Sequence, residues 1–217
     1  MKRGKIAGKV LCLLLLAFLM AGMDQYIERQ ENQKEIAGKI LRFHVRANSD
    51  DAEDQDLKLQ VRDAVGNFMS SKLKGVSDIS ECREIVNRNL GEIVETASDV
   101  IADCGYEYPV EAYVAQVDFP DKTYGDYTFP AGTYEALELV IGAGAGHNWW
   151  CVMYPNMCFS GSGYEVVERD AKDSLEHTLT QEEYESLMEN KNYTVKCRYL
   201  KFLNPCLEKL QDAFTGK

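Results

Sequence analysis

Ile40-Leu41-Arg42-Phe43-His44-Val45-Arg46-Ala47 is the stretch that decides how the fold begins, because apolar and polar residues alternate along it. Leu41, Phe43 and Val45 would lie on one face of a strand, and Arg42, His44 and Arg46 on the other. A period of two residues is typical of a half-buried β-strand. We therefore predict a strand that ends at Asn48, with one face on the core and one in solvent.

Two helices are predicted after this strand. Asp50 is expected at the N-cap of the first helix, with Glu53 three residues later, and apolar residues then recur at helical spacing over 51–73. A second helix is expected to end at Gly105, because glycine often terminates a helix. Its apolar positions are three or four residues apart, at Cys82, Val86, Leu90, Ile93, Ala97, Ile101 and Cys104.

Two further strands are predicted at 108–119 and 133–141, which are rich in Val, Tyr, Ala and Leu. The segment between them contains the turn-forming residues Pro and Gly, so the two strands should pair as an antiparallel hairpin. The order strand, helix, helix, strand, strand favours an α+β domain. In such a domain the helices pack on one face of a small, largely antiparallel sheet.

The chain is expected to divide into four parts. Residues 1–23 combine basic residues with the apolar run Val10 to Met23, which indicates an export signal. As a helix this run would span ~21 Å, short of the ~30 Å hydrocarbon core of a bilayer, so an uncleaved signal anchor is the weaker alternative. Residues 24–38 are expected to form a polar linker, 39–160 the core domain, and 161–217 a C-terminal extension.

The C-terminal extension is expected to contain short elements. Residues 160–175 are rich in Gly, Ser and acidic residues and predict an irregular connection. Thr180 and Glu183 then predict a short capped helix that reaches Asn190. A strand over 193–199 and a final helix over 205–214 are also predicted.

The charge of the chain limits its partners. The 217 residues carry 24 basic and 35 acidic side chains, a net charge of −11. Because the first 23 residues contain four basic and no acidic residues, the exported part has 20 basic and 35 acidic residues and a net charge of −15. This acidity argues against nucleic acid and anionic lipid as partners, since both require cations, and leaves membrane contact to the N-terminal signal. The acidity either keeps the domain soluble or suits a basic protein partner.

A glycine-rich run, Gly142-Ala143-Gly144-Ala145-Gly146, follows the last predicted strand. Phosphate-binding loops of this kind lead into a helix, but here two tryptophans, a cysteine and a proline follow, so a nucleotide is not expected. Adjacent indoles in a loop indicate either a recognition surface or core residues that hold the loop down. The candidate partner-binding residues are Gly144, Gly146, His147, Asn148, Trp149 and Trp150.

Arg46 is a further candidate, on the polar face of the first strand. Its guanidinium could bind a carboxylate of a partner. The alternative is a salt bridge to an acidic cluster nearby in the sequence, which consists of Asp50, Asp51, Glu53 and Asp54.

Six of the seven cysteines lie outside the signal, so disulfides are expected in an exported protein. Cys82 and Cys104 cannot pair if they lie ~33 Å apart in one helix, because a bridge requires Cα atoms within ~7 Å. Cys151 and Cys158 are the favoured pair, since Pro155 promotes a turn between them. The sequence contains no cysteine or histidine spacing typical of zinc, so no metal is expected.

Cys151 also allows an alternative function, that of a thiol-dependent cell-wall hydrolase. A nucleophilic cysteine needs a base and an orienting group, for which His147 and Asn148 are adjacent and His44 and His177 are more distant in sequence. An exported cysteine with a second cysteine nearby is more easily oxidised than kept as a thiolate, so we assign no catalytic residue. A wall-binding module that uses the tryptophans on sugars is the other alternative.

Two blocks of the sequence resemble the stage II sporulation protein R family. The first is Leu41-Arg42-Phe43-His44-Val45-Arg46-Ala47-Asn48-Ser49-Asp50, followed by Asp54-Gln55, Leu57-Lys58 and Val61-Arg62-Asp63-Ala64-Val65. The second is Phe129-Pro130-Ala131-Gly132-Thr133-Tyr134-Glu135-Ala136-Leu137 together with the segment from Gly142 to Phe159. The resemblance covers residues 40–160 in the same order. Glu138 departs from it, because the family more often has a basic residue there.

This resemblance implies a signalling protein rather than an enzyme. Such a protein is exported from the forespore into the space between forespore and mother cell. There it activates a membrane-embedded aspartic protease, which processes the precursor of sigma E. The resemblance thus implies a protein partner, with no cofactor and no small-molecule substrate. We expect a Cys151–Cys158 ring to stiffen the loop, so that Trp149 or Trp150 serves as an apolar anchor.

Overall fold

The computed structural model describes residues 2–157 and 169–188. The helices are α1 (Lys2–Lys39), α2 (Ala52–Lys72), α3 (Ile79–Arg88), α4 (Leu90–Asp103), α5 (Arg169–Thr178) and α6 (Gln181–Leu187). The strands are β1 (Leu41–Arg46), β2 (Val110–Phe119), β3 (Lys122–Tyr124), β4 (Tyr127–Phe129), β5 (Gly132–Ile141) and β6 (Asn148–Tyr154). The chain divides into two compact units, and the sheet belongs to the unit of residues 34–189.

A four-stranded sheet with the order β2-β5-β1-β6 forms the centre of this unit. β2 pairs with β5 in antiparallel fashion along ten residues, as the predicted hairpin requires. β6 is antiparallel to β1, whereas β1 and β5 are parallel. The predicted α+β class with a largely antiparallel sheet is therefore confirmed. The segment between β2 and β5 forms a small hairpin of its own, β3–β4.

Three helices cover one face of the sheet. The apolar sides of α2, α3 and α4 pack on β1, β5 and β6, and the fully or almost fully buried residues of this core include Phe43, Val45, Leu57, Val61, Val65, Val86, Ile93, Ile101, Leu137 and Leu139. α2 matches its predicted range, although Asp51 rather than Asp50 is its N-cap residue. The helical periodicity of the sequence thus identified the side that faces the core.

The second predicted helix is two helices. α3 ends at Arg88 and α4 begins at Leu90, because the backbone of Asn89 between them leaves the helical conformation, with φ of −104° and ψ of 9°. The apolar spacing of three or four residues continues across Asn89 and therefore does not reveal the break. The expected stop at Gly105 is confirmed, with a φ of 84° that suits glycine.

The second face of the sheet is also covered, so β1 is buried on both sides. The C-terminal end of α1, the β3–β4 hairpin and the helices α5 and α6 supply a separate core, with Ile36, Ile40, Phe129, Tyr134, Leu175 and Leu187 among its buried residues. Arg42 and His44 consequently lie in the interior. The prediction that β1 is half-buried was wrong, because its alternation reflects buried polar residues rather than a solvent-facing side.

Several boundaries differ from the sequence prediction. Residues 24–38 are helical and belong to α1, although a linker was expected. Residues 169–178 form α5, which overlaps the stretch of 160–175 expected to be irregular, and the compact unit continues to residue 189. α6 has the predicted capping box of Thr180 and Glu183, and Glu183 also pairs with Lys39 at 2.6 Å. The predicted strand over 193–199 and helix over 205–214 lie outside the described residues.

The basic and apolar N-terminal segment of the sequence lies in α1. Within residues 2–157 and 169–188, none of the helices combines the length and the apolar character that a membrane span requires. α1 nevertheless leaves several large apolar side chains exposed, namely Leu16, Phe18, Leu19, Met20 and Met23.

Candidate partner-binding site at the glycine-rich end of the sheet

The glycine-rich loop, residues 142–147, joins β5 to β6 and lies against the β1–α2 junction, residues 47–51. The amide of Ala145 donates to the Asn48 carbonyl oxygen at 3.1 Å, and that of Gly146 donates to the Ala47 carbonyl oxygen at 3.0 Å. The Oδ1 atom of Asn48 accepts from the Ala143 amide at 3.0 Å. These bonds fix the loop on the junction, and they join the two blocks of sequence that carry the family resemblance.

At three positions of the loop, the backbone conformation or a close contact requires glycine. Gly142 and Gly144 have φ values of 58° and 59°, a region that other residues rarely adopt. A Cβ atom at Gly144 would also lie 2.7 Å from a methyl carbon of Val140. A Cβ atom at Gly146 would overlap the backbone carbonyl of Ser49. The loop therefore requires alternate glycines to approach the junction this closely.

Arg46 connects the loop to the sheet. Its Nε and Nη2 atoms donate to the Gly144 carbonyl oxygen at 3.1 Å and 2.8 Å, and its Nη1 lies 3.3 Å from a carboxylate oxygen of Glu138. Arg46 thus forms its salt bridge with Glu138, and not with the acidic cluster of Asp50, Asp51, Glu53 and Asp54 as the alternative had it. Arg46 is 39% exposed at its side chain, so part of this side chain remains open to a partner.

A row of four side chains crosses the sheet beside Arg46. The strand registers align Tyr113, Glu138, His44 and Trp150 on β2, β5, β1 and β6. His44 stacks on the indole of Trp150 with ring centroids 3.8 Å apart, and its Nδ1 lies 3.5 Å from Glu138. Glu138 is buried and faces both His44 and Arg46. Sequence reasoning gave Glu138 no role, because the parallel pairing of β1 with β5 was not predicted.

Burial lowers the pKa of His44 from 6.5 to about 4, against an opposing effect of Glu138. Between those two pH values the unfolded chain binds a proton at His44 that the folded chain does not. The folded state should therefore lose up to about 3 kcal/mol of stability as the pH falls from 6.5 to 4. Urea unfolding at pH 7 and pH 4.5 measures this loss.

His44→Phe supplies the control, since a phenyl ring can stack on Trp150 without titrating. The gap in unfolding free energy between the natural chain and His44→Phe should change by about 2–3 kcal/mol between the two pH values. An unchanged gap would show that His44 does not titrate abnormally.

The two tryptophans lie on β6 and not in a loop, which corrects the expected arrangement. Because neighbours on a strand point to opposite faces, Trp149 packs against Phe43 on the helical side, with ring centroids 5.6 Å apart. Trp150 contacts His44 and Phe119 on the other side. Both rings are half-buried. Each indole therefore helps to hold β6 in place and keeps only part of its surface available for recognition.

His147 and Asn148 are exposed at the start of β6. The ring of His147 pairs with the carboxylate of Asp50, and hydrogen bonds from His147 lower the pKa of Asp50. On the other side, the Lys58 Nζ atom donates to the His147 carbonyl oxygen at 3.0 Å. Lys58 was not predicted as part of this site, because only the folding of α2 against the loop places it there.

Comparison with known proteins shows the family of this chain. The sequence model of the stage II sporulation protein R family matches residues 37–164, more than half of the chain. The chain belongs to this family. It is also 33% identical to stage II sporulation protein R of Bacillus subtilis (strain 168) over 173 residues, which cover 76% of this chain and 77% of that protein. No solved structure matches the chain.

Membership of the stage II sporulation protein R family supports a role in sporulation, and the family match contains every residue of the site. It spans the β1–α2 junction, the glycine-rich loop and β6. The structure brings together, at one end of the sheet, the site residues predicted from sequence, which are Arg46, Gly144, Gly146, His147, Asn148, Trp149 and Trp150.

The cysteines bear on the thiol-enzyme alternative. Cys151 is buried and its sulfur is in a disulfide, so it is not available as a nucleophile in this state. Its predicted partner, Cys158, lies outside the described residues, and that pairing stays a prediction. Burial raises the pKa of the free Cys82 thiol to about 12, which disfavours the thiolate. His177 lies elsewhere, on a cavity of about 600 Å³ lined also by Lys39 and Tyr154.

No metal centre is evident in the part of the chain that can be described. Across residues 2–157 and 169–188, no group of three or more His, Cys, Asp or Glu side chains is placed to hold a metal ion.

Proposed function

We propose that the chain is an exported signalling protein of sporulation that activates a membrane-embedded aspartic protease. Activation would trigger processing of the sigma E precursor in the mother cell. The observation that carries this proposal is that parts of both family blocks, the β1–α2 junction and the segment that begins at Gly142, meet on one surface, the glycine-rich end of the sheet. A shared surface of this kind suits recognition of a partner.

The surface has the properties of a rigid protein-binding site. The glycine-rich loop is fixed by backbone hydrogen bonds to Ala47 and Asn48, so little conformational entropy is lost when a partner docks. Trp150 and Arg46 each present a partly exposed face, and tryptophan and arginine are the residue types that most often dominate binding energy. No cofactor or small-molecule substrate enters this proposal.

The proposed location is the space between forespore and mother cell. Its support is the basic N-terminus followed by an apolar run, and the exposure of Leu16, Phe18 and Leu19 on α1. We infer that this segment directs export, and that it is the chain's own contact with the membrane. If it is not cleaved, the same segment would tether the protein to the forespore membrane.

Trp150→Ala tests the proposal in sporulating cells. The variant should weaken the contact with the protease about thirtyfold or more, which corresponds to a loss of roughly 2 kcal/mol at a central aromatic contact. Conversion of the sigma E precursor, followed by immunoblot, should be delayed or absent. Leu59→Ala is the matched control, because Leu59 is an exposed apolar residue on α2 and not part of the site.

Folding must be separated from recognition in this test, since Trp150 also packs on His44. The thermal unfolding and the exported amount of each variant are therefore measured alongside cleavage. Normal cleavage by folded Trp149→Ala, Trp150→Ala and the double variant would rule out the proposed anchor. Loss of cleavage in Leu59→Ala as well would point to a general defect.

A further inference from the structure

β2 forms one edge of the sheet, at the side opposite β6. It pairs with β5 without a shift of register from Val110 to Phe119. The Gly142 amide donates to the Pro109 carbonyl oxygen at 2.8 Å, which makes residues 109 and 142 a hydrogen-bonded pair. Because such pairs alternate along an antiparallel ladder, the backbone groups of every second residue from 110 onward point away from the sheet. These residues are Val110, Ala112, Val114, Gln116 and Asp118.

This edge lacks several of the features that usually prevent strand addition. β2 is ten residues long, contains no proline or lysine, and has no bulge against β5. In the described parts of the chain, no other strand pairs with it. Its five outward-facing N–H groups and five carbonyls therefore offer a ladder for one more strand.

The charge of the residues in and near β2 indicates which kind of added strand this edge would bind. The segment 89–121, which includes α4 and β2, contains no lysine or arginine. Its acidic residues are Glu92, Glu95, Asp99, Asp103, Glu107, Glu111, Asp118 and Asp121. Glu111 and Asp118 lie on β2 itself and are exposed, so a second copy of β2 would bring like charges together, whereas a basic strand would neutralise them.

We propose that the outer edge of β2 binds an extended, lysine- or arginine-rich segment of a partner protein, which becomes the fifth strand of the sheet. Main-chain hydrogen bonds give the affinity, and the acidic side chains select the basic segment. This surface is distinct from the glycine-rich end, because β2 and β6 lie at opposite edges. It thus adds a second contact area to the proposed signalling function.

Gln116→Pro tests the edge directly. Proline removes an outward-facing N–H without removing a bond to β5, and the side chain of Gln116 is exposed. Gln116→Ala is the matched control because it keeps the N–H. The probe is a synthetic ten-residue peptide of alternating valine and lysine, added to the purified full chain, with an alternating valine and glutamate peptide for comparison.

The valine–lysine peptide should bind the natural chain and Gln116→Ala equally, and Gln116→Pro about tenfold more weakly. It should also slow hydrogen exchange of the amides of Val110, Ala112 and Val114. Glu111→Lys, which leaves every backbone group in place, should weaken binding of this peptide and strengthen binding of the valine–glutamate peptide. The Glu111→Lys variant therefore tests the proposal even if Gln116→Pro fails to fold.

Three results would overturn the proposal: equal binding by both Gln116 variants, protection of amides outside β2, or a dimer of the chain that Gln116→Pro dissociates. Because the readout is peptide binding, it does not depend on the protease. Failure here would leave the Trp150 test of signalling intact.

Discussion

Gly146→Ala should destabilise the folded domain by about 3 kcal/mol or more, and signalling should be lost with it. The added Cβ would overlap the carbonyl group of Ser49, which is backbone and cannot rotate away. The loop would have to leave the β1–α2 junction and give up the hydrogen bond from the Gly146 amide to Ala47. Urea unfolding of the purified chain measures the loss.

Gly105→Ala is the matched control for this substitution. Gly105 has a φ of 84°, yet a Cβ there would meet no atom within 4 Å. Its replacement should therefore cost only the backbone strain of a left-handed residue, about 1–2 kcal/mol. If Gly146→Ala were no more destabilising than Gly105→Ala, the close contact with Ser49 would not be a constraint on the loop.

Arg42→Ala should destabilise the fold by about 3–5 kcal/mol, the range expected when a large buried side chain is truncated. Arg42 is fully buried, and its guanidinium carbon lies 4.2 Å from the ring centroid of Phe119 and 5.0 Å from that of Tyr134. Its Nε donates to the Cys151 carbonyl oxygen at 2.9 Å. Truncation would empty the centre of the second core and leave this carbonyl without its donor.

Arg42→Met separates volume from charge. Methionine fills a similar space, and the buried cation itself is costly to desolvate, so Arg42→Met should lose no more than about 1.5 kcal/mol. Both variants are compared by urea unfolding at pH 7. If methionine were as destabilising as alanine, the hydrogen bonds and ring contacts of the guanidinium would be more important than the space it fills.

The elements that the sequence predicted well are those with a local cause. The alternation in β1, the apolar spacing in α2 and the capping box at Thr180 each depend on residues within one or two turns of the chain. The pairing of β2 with β5 also followed from local signals, because a turn-rich segment separates two strand-forming stretches. Such features depend on neighbouring residues, and no contact with a distant part of the chain is needed to specify them.

The candidate site could be predicted only in part. The glycine-rich run, Arg46 and Trp150 stand out by residue type, and the structure places them together. Glu138 and Lys58 do not stand out, since an acidic residue in a strand and a lysine in a helix are most often solvent-exposed. Their contacts with Arg46 and with His147 depend on the registry of β1 with β5 and on the position of α2.

The sequence by itself determined β1, α2, the pairing of β2 with β5 and the helical face of the sheet, because each depends on local periodicity and turn-forming residues. Only the tertiary structure decided that Arg42 and His44 are interior, and that Trp149 and Trp150 belong to a strand with one indole on each face. The physical reason is that burial of a second sheet face depends on segments far away in the chain. The end of α1, the β3–β4 hairpin and α6 cover β1. The alternation of residues in β1 does not reveal that these segments cover its second face.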